Sequence, residues 1–301
     1  MPRSAKDLQI DRDVFLQTLQ KKLADLPPLP KVVHRIMQTV NDPNTSAEDL
    51  NRLISLDQGL ASRILRIVNS AYYGFPKRIS TVTNAVVILG FNTVRNLVLG
   101  VSAFAMLPPK APGAIGLDRT LFWEHCVAVA VGSSIIARKR RLKTRAAIEE
   151  AFLGGLLHDI GQLFMDCYFP VPYAVSMAYA QKQSVPIVEA ETLVLHIDHA
   201  SVGRKIAEHW NFPASLCECV GSHHRPDPNL EHAEMASTVH AANWLAWQSG
   251  VGSIQLETAP ELDPVVAEWL GFSEEDWAWA TRELAMQMDN ARDMFHLDRA
   301  A

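Results

Sequence analysis

At 301 residues the chain exceeds an average domain, and its length fits one large domain or two intimately packed lobes. Apolar residues make up 48% and charged residues 20%, which excludes disorder, while 15 glycines and 17 prolines exclude fibrous and low-complexity classes. With 28 basic and 33 acidic residues the net charge is −5, so general nucleic-acid binding and an anionic membrane are not expected of the surface as a whole.

The four cysteines, at 126, 167, 217 and 219, form no CxxC and fit a reducing compartment. The longest charge-free apolar runs, 97–107 and 126–137, are too short to cross a bilayer, and the N-terminus carries no apolar signal core. A cytoplasmic protein without a membrane partner is expected.

Helical periodicity runs from end to end, as in Leu60, Ile64, Ile67, Val68 and Ala71, and no stretch alternates with a two-residue period. An all-α fold follows, with helices predicted over 11–24, 31–41, 46–56, 58–71, 83–90, 92–107, 118–141, 145–168, 171–183, 186–196, 199–210, 214–224, 231–249, 264–270 and 274–293. Ser46 with Asp49 makes a capping-box pattern, Asp57 can cap the next helix, and Ser273 precedes Glu274, Glu275 and Asp276 at another start. The strongest break, PPKAPGAIG at 108–116, cannot continue a helix and divides the chain into an N-terminal helical lobe, 1–112, and a helical bundle with C-terminal helices, 113–301. The basic run RKRRLKTR at 138–145 reads as a solvated helix end complementing the dipole. Trp269, Trp277 and Trp279, among acidic residues, read as caps on the core of a terminal helix pair.

Chemistry concentrates in the second lobe. Residues 1–107 hold one histidine, His34, whereas 118–240 hold nine of the eleven. His125, the pair His158 and Asp159, His199, and the pair His223 and His224 fall on four predicted helices, the donor set a buried transition-metal site in a helical bundle requires. Neighbours on one helix diverge by about 100°, so His158 and Asp159 share a centre only if the helix axis passes beside it. His196, His209, His232 and His240 lack that arrangement and read as structural, and Asp166 and Cys167 as packing or surface residues. No GxSxG elbow, Walker loop or Rossmann fingerprint occurs; a nucleophilic cysteine near His223, from Cys217 or Cys219, is a minor alternative.

The segments LPPLPKVVHRIM at 26–37 and SLDQGLASRILRIVNSAYYGFPKRISTVTNAVVILGFNTVRNLVLG at 55–100 resemble the HDOD family, the HD-related output domain of bacterial signalling proteins. The likeness continues through LFWEHCVAVA, FLGGLLHDIGQL, DHASVGRKIAEHWNFP, VGSHHRP and VHAANWLA, covering about 20–248. It implies an HD-like bundle carrying an extra N-terminal helical lobe, with metal ligands at His125, His158, Asp159, His199, His223 and His224. Three positions depart from the superfamily pattern: the final aspartate falls on Asn243, the lysine after HDxG is Gln162, and HHRPDPN lacks the GYP continuation. With one carboxylate among imidazoles, two divalent ions would be poorly neutralised. Gln162 brings no ammonium to a phosphate unless Arg225 or Arg204 substitutes.

The resemblance therefore implies a regulatory module acting through signalling proteins or a nucleotide-like ligand, with one divalent Fe, Mn or Zn as its possible cofactor. The alternative is a metal-dependent phosphohydrolase of nucleotides or cyclic dinucleotides, with Asp159 and Gln162 as candidate catalytic residues.

Overall fold

The computed structural model describes residues 10–39, 45–69, 73–108, 115–141, 144–253 and 260–291. Sixteen helices and no strands occur among them. The first six are α1 (Arg12–Ala24), α2 (Lys31–Thr39), α3 (Ala47–Ile54), α4 (Gln58–Val68), α5 (Val82–Leu89) and α6 (Phe91–Ala105). There follow α7 (Arg119–Lys139), α8 (Arg145–Leu157), α9 (Ile160–Tyr168), α10 (Pro170–Gln183) and α11 (Ile187–Leu195). The chain continues through α12 (His199–His209), α13 (Ala214–Ser222), α14 (Ala233–Gln248), α15 (Pro264–Leu270) and α16 (Glu274–Ala291).

The expected start signals operate. Ser46 and Asp49 form a reciprocal capping box, the Asp57 carboxylate accepts from the Leu60 N–H, and Ser273 and Asp276 cap one another at the head of α16. Most of the Pro-rich break, 109–114, lies outside the described residues.

Helix α7 is the axis of the bundle. It packs on α8, α14 and α16, and it is buried from Phe122 to Ala137 except at Glu124. Its charge-free run is short, but the whole helix spans 21 residues and is apolar enough to cross a bilayer; 83% of its apolar window lies inside the fold. Its capping carboxylate is Asp118, while the buried Asp166 accepts from the Leu117 N–H and from Arg119, fixing the segment that leads into α7. Asp166 is thus an anchor joining two helices.

The N-terminal helices meet this bundle at two places, with α6 on α8 and α1 on α12, and one apolar core runs through both. Polar contacts add to the second junction. The His209 Nε2–H donates to Leu26 O at 3.0 Å, the Trp210 indole donates to Pro27 O at 3.1 Å, and the His196 Nε2–H donates to Ile10 O at 3.2 Å.

The basic run meets the tryptophan-bearing tail. Arg140 lies 4.6 Å from the centroid of the Trp269 ring, Lys139 lies 5.2 Å from that of Trp279, and Lys139 also pairs with Asp276. Trp277 packs edge-on against Trp244 of α14. The cations at the end of α7 therefore hold α15 and α16 in place.

One expectation is corrected. The continuous helix predicted over 145–168 is broken: α8 ends at Leu157, His158 is its C-cap, and Asp159 occupies the N-cap position of α9 with φ −96° and ψ 15°. Two glycines on either side of the break sit directly against other helices. A Cβ on Gly155 would lie 2.7 Å from Val129 O on α7, and one on Gly161 would lie 1.9 Å from His199 O on α12. The backbones touch, so no side chain fits. Gly161→Ala is expected to lower stability by about 3 kcal/mol or to block folding, read from the urea midpoint against the unsubstituted chain.

Candidate metal centre

All six residues singled out by sequence converge on one point, and five of them come from helix ends. Only His125 projects from within a helix, α7. His158 and Asp159 sit in the α8–α9 break, His199 is the first residue of α12, His223 is the C-cap of α13, and His224 follows it. At a helix terminus successive side chains escape the regular helical divergence, so the doublets 158–159 and 223–224 each place both members at the centre.

The Asp159 carboxylate is shared. Its Oδ2 lies 3.3 Å from His158 Nε2 and 3.6 Å from His125 Nε2; its Oδ1 lies 3.1 Å from His199 Nε2 and 3.5 Å from His223 Nε2. His224 Nε2 is 2.8 Å from His199 Nε2. The donor atoms fall into two overlapping groups, Asp159 with His199, His223 and His224, and Asp159 with His125 and His158.

Each ring is held from behind. A carbonyl or carboxylate only accepts, so the ring nitrogen facing it must carry the proton. The Nδ1–H of His125 donates to Val251 O at 2.9 Å, that of His158 to Gly155 O at 2.7 Å, and that of His223 to Val220 O at 2.8 Å. The Nδ1–H of His199 donates to Glu191 Oε2 at 2.7 Å, and the same oxygen accepts the His199 backbone N–H at 2.8 Å. The proton on Nδ1 of all four rings is thereby fixed, and each ring, when neutral, turns a bare Nε2 inward.

Burial sets the charges. It pushes His125 and His223 down to about 4, and it holds His224, beside His223 and His199, well below the usual imidazole range. Burial also opposes charge on His199, but the Glu191 and Asp159 carboxylates outweigh it and raise that ring well above 6.5. Burial disfavours an Asp159 carboxylate too, yet His158 and His199 hold it well below 3.8.

This arrangement fits a cation. Buried polar atoms ordinarily find partners, but His158 Nε2 has no hydrogen bond. Several inward lone pairs crowd one carboxylate, and nothing on the protein donates to all of them. Imidazole nitrogens with a carboxylate oxygen suit first-row transition metals.

Sequence reasoning missed Glu191. It is fully buried on α11, held above the usual carboxylate range by burial, and it orients His199. Asp159 remains the one carboxylate of the donor groups, and Glu191 adds a second carboxylate behind His199. A glutamate inside the apolar stretch VEAETLVLH, eight residues before His199, was the available signal. Tyr173 is buried as well, and burial with the nearby Glu191 charge raises its pKa well above 10.0.

The remaining candidates divide. Gln162 is buried and accepts from the Ser253 hydroxyl at 3.4 Å, and Asn243 is buried on α14 with an unpartnered side-chain oxygen. Arg204 is committed to Glu208 at 2.9 Å, and Arg225 is exposed. The cysteine alternative fails electrostatically: burial raises both Cys217 and Cys219 above the usual thiol range, which leaves them protonated. Of the histidines read as structural, His240 supports the centre indirectly. Its Nδ1–H donates to His223 O at 2.7 Å while its Nε2 accepts from the Asp263 N–H at 3.0 Å.

Comparison with known proteins agrees with this architecture. The family model of the HDOD domain matches residues 26–226. The chain is 26% identical over 250 residues to an uncharacterised protein of Treponema pallidum (strain Nichols), a match covering 80% of this chain and 47% of that relative, so the chain spans about half of the relative's length. Among solved structures, an HDOD domain protein of unknown function from Geobacter sulfurreducens superposes with a TM-score of 0.74 at 22% identity, covering 96% of this chain and 98% of the other. A Marinobacter aquaeolei VT8 protein labelled for signal transduction gives 0.77 at 21% identity, covering 98% and 69%. A Shewanella amazonensis SB2B protein labelled a phosphohydrolase gives 0.65 at 24% identity, covering 93% and 97%. At these identities the structural likenesses establish the fold, and with the family model matching well over half of its length, the chain belongs to the HDOD family.

Proposed function

We propose that the chain is a regulatory HDOD module that takes up one divalent transition ion, Fe, Mn or Zn, and acts through a protein or nucleotide-like partner without turning over a substrate. The observation that carries this reading is enclosure. His125, His158, Asp159, His199 and His223 are all at most 1% exposed, and only His224 is half-buried. Closed donor sets are typical of structural metal sites, whereas catalytic ones keep an open position. Asn243 and Gln162 in place of an acidic and a basic side chain support the same reading.

The primary ligands are assigned to Asp159, His199, His223 and His224, with His125 and His158 completing the wall behind Asp159. Glu191 fixes the His199 tautomer, and His240 fixes the backbone that carries His223. A divalent ion held there would supply positive charge that neutralises the carboxylates and, if water reached it, Lewis-acid activation of that water. The protein side contributes a route for the signal. Helix α12, about 16 Å long, begins at the centre with His199 and ends where His209 and Trp210 grip Leu26 and Pro27 in the N-terminal lobe. The four cysteines form no disulfide with one another, in support of a reducing, cytoplasmic setting.

The phosphohydrolase reading rests on His224, the one ligand candidate that reaches partial exposure. Metal analysis with an activity screen separates the two. Protein purified without chelator is expected to carry about one equivalent of transition metal, to lose it on Asp159→Asn or His199→Ala, to retain most of it on His125→Ala, and to show no phosphodiester turnover above background. Turnover abolished by His158→Ala would establish the enzyme instead.

His199 also sets a proton balance. Its raised pKa leaves it protonated at neutral pH in the metal-free chain, and that proton must leave before Nε2 can bind a cation. Metal affinity should therefore rise with pH, by about tenfold per unit below the His199 pKa, with one proton released per ion. Calorimetry in two buffers of different ionisation enthalpy measures it. Glu191→Gln keeps an acceptor for the ring but removes the charge, so it should abolish this proton release near neutrality and weaken metal binding about 10- to 100-fold.

A further inference from the structure

The stretch that carries the family likeness in the N-terminal lobe, ILRIVNSAYYGFPKRIS, contributes nothing to the metal centre. Its described residues line a cavity of about 1030 Å³ between α4 and residues 75–80, with Ser62, Arg66 and Asn69 on one wall and Phe75, Arg78 and Ser80 on the other. Asn69 ties the walls together. Its side-chain amide donates to Leu65 O and to Ile79 O, each at 2.7 Å, and its oxygen accepts from the Ile79 N–H at 2.7 Å. Both N–H groups of the amide are used, so the backbone at Ile79 is held against the end of α4 by specific bonds.

The lining is chemically one-sided. Arg66 and Arg78 form no ion pair among the described residues, and no carboxylate is among the described residues that line the cavity. Two unpaired guanidinium groups on one cavity, in a chain of net charge −5, create a local positive site. The guanidinium fork matches phosphate oxygens in pairs, and the Ser62 and Ser80 hydroxyls add uncharged donors. Phe75 supplies an apolar ring that lies parallel to Tyr73, with centroids 6.1 Å apart and planes 6° apart. Cation forks beside an aromatic face recognise a phosphate attached to a planar ring. The volume stands at the upper end of the range for small-molecule sites, about 300–1000 Å³, which admits a mononucleotide or a dinucleotide.

We propose that this N-terminal cavity binds a free nucleotide, with its phosphate between Arg66 and Arg78 and its base against Phe75. The site lies on elements that contribute no ligand to the metal centre, so it stands whether or not the metal reading holds. It gives the N-terminal lobe an input of its own.

The test titrates the full chain with fluorescently labelled ADP and GDP at low salt. Saturable binding of at least one is expected, displaced by inorganic pyrophosphate and not by uncharged adenosine or guanosine at the same concentration. Arg66→Gln and Arg78→Gln should each weaken it about tenfold or more, because each removes charge-assisted hydrogen bonds. Phe75→Leu should weaken nucleotide binding while leaving displacement by pyrophosphate intact, and Asp159→Asn should change nothing. Both arginines are exposed, so thermal melting is expected to show each variant folded. No saturable binding up to millimolar nucleotide, undiminished binding in the Arg66→Gln/Arg78→Gln double variant, or binding lost in Asp159→Asn would each overturn the assignment.

Discussion

Taking a carboxylate out of water is costly unless charge and hydrogen bonds compensate it, and Asp159 is 1% exposed at the centre of the bundle. Much of the surrounding architecture serves that one group. Imidazoles from α7, the α8–α9 break, α12 and the end of α13 face it, and each of four is oriented by an acceptor behind it. The backbone contacts at Gly155 and Gly161 are what bring α7 and α12 close enough for those rings to reach the carboxylate. A side chain at either glycine would separate the helices and leave a buried charge without its neighbours.

The same packing links regions far apart in sequence. Helix α12 touches the centre at one end and the N-terminal segment at the other, while the cations closing α7 hold the tryptophans of α15 and α16. The centre is thus joined to the N-terminal segment by a single helix, α12. One continuous apolar core runs from the N-terminal helices into the bundle.

Much of the fold was legible because helical period and capping are local properties. The boundaries at Ser46, Asp57 and Ser273 follow from side chains within three residues of the backbone groups they cap. The six ligand candidates were legible too, since clustered histidines with one acidic neighbour are uncommon in an apolar sequence. The break at His158–Asp159 was not. Apolar periodicity runs unbroken through FLGGLLHDIGQL, and the bend arises from helices that sequence places far away.

Composition and spacing alone thus determined an all-α chain and a set of groups that could hold a cation. The tertiary structure alone decided that helix ends present those groups, that Glu191 is the second carboxylate, and that Arg66, Asn69, Arg78 and Ser80 border one basic cavity. The reason is one of range. Periodicity and capping report interactions within a few residues, whereas a buried carboxylate acquires its role from partners such as His199 and Tyr173, and those are chosen by how whole helices pack.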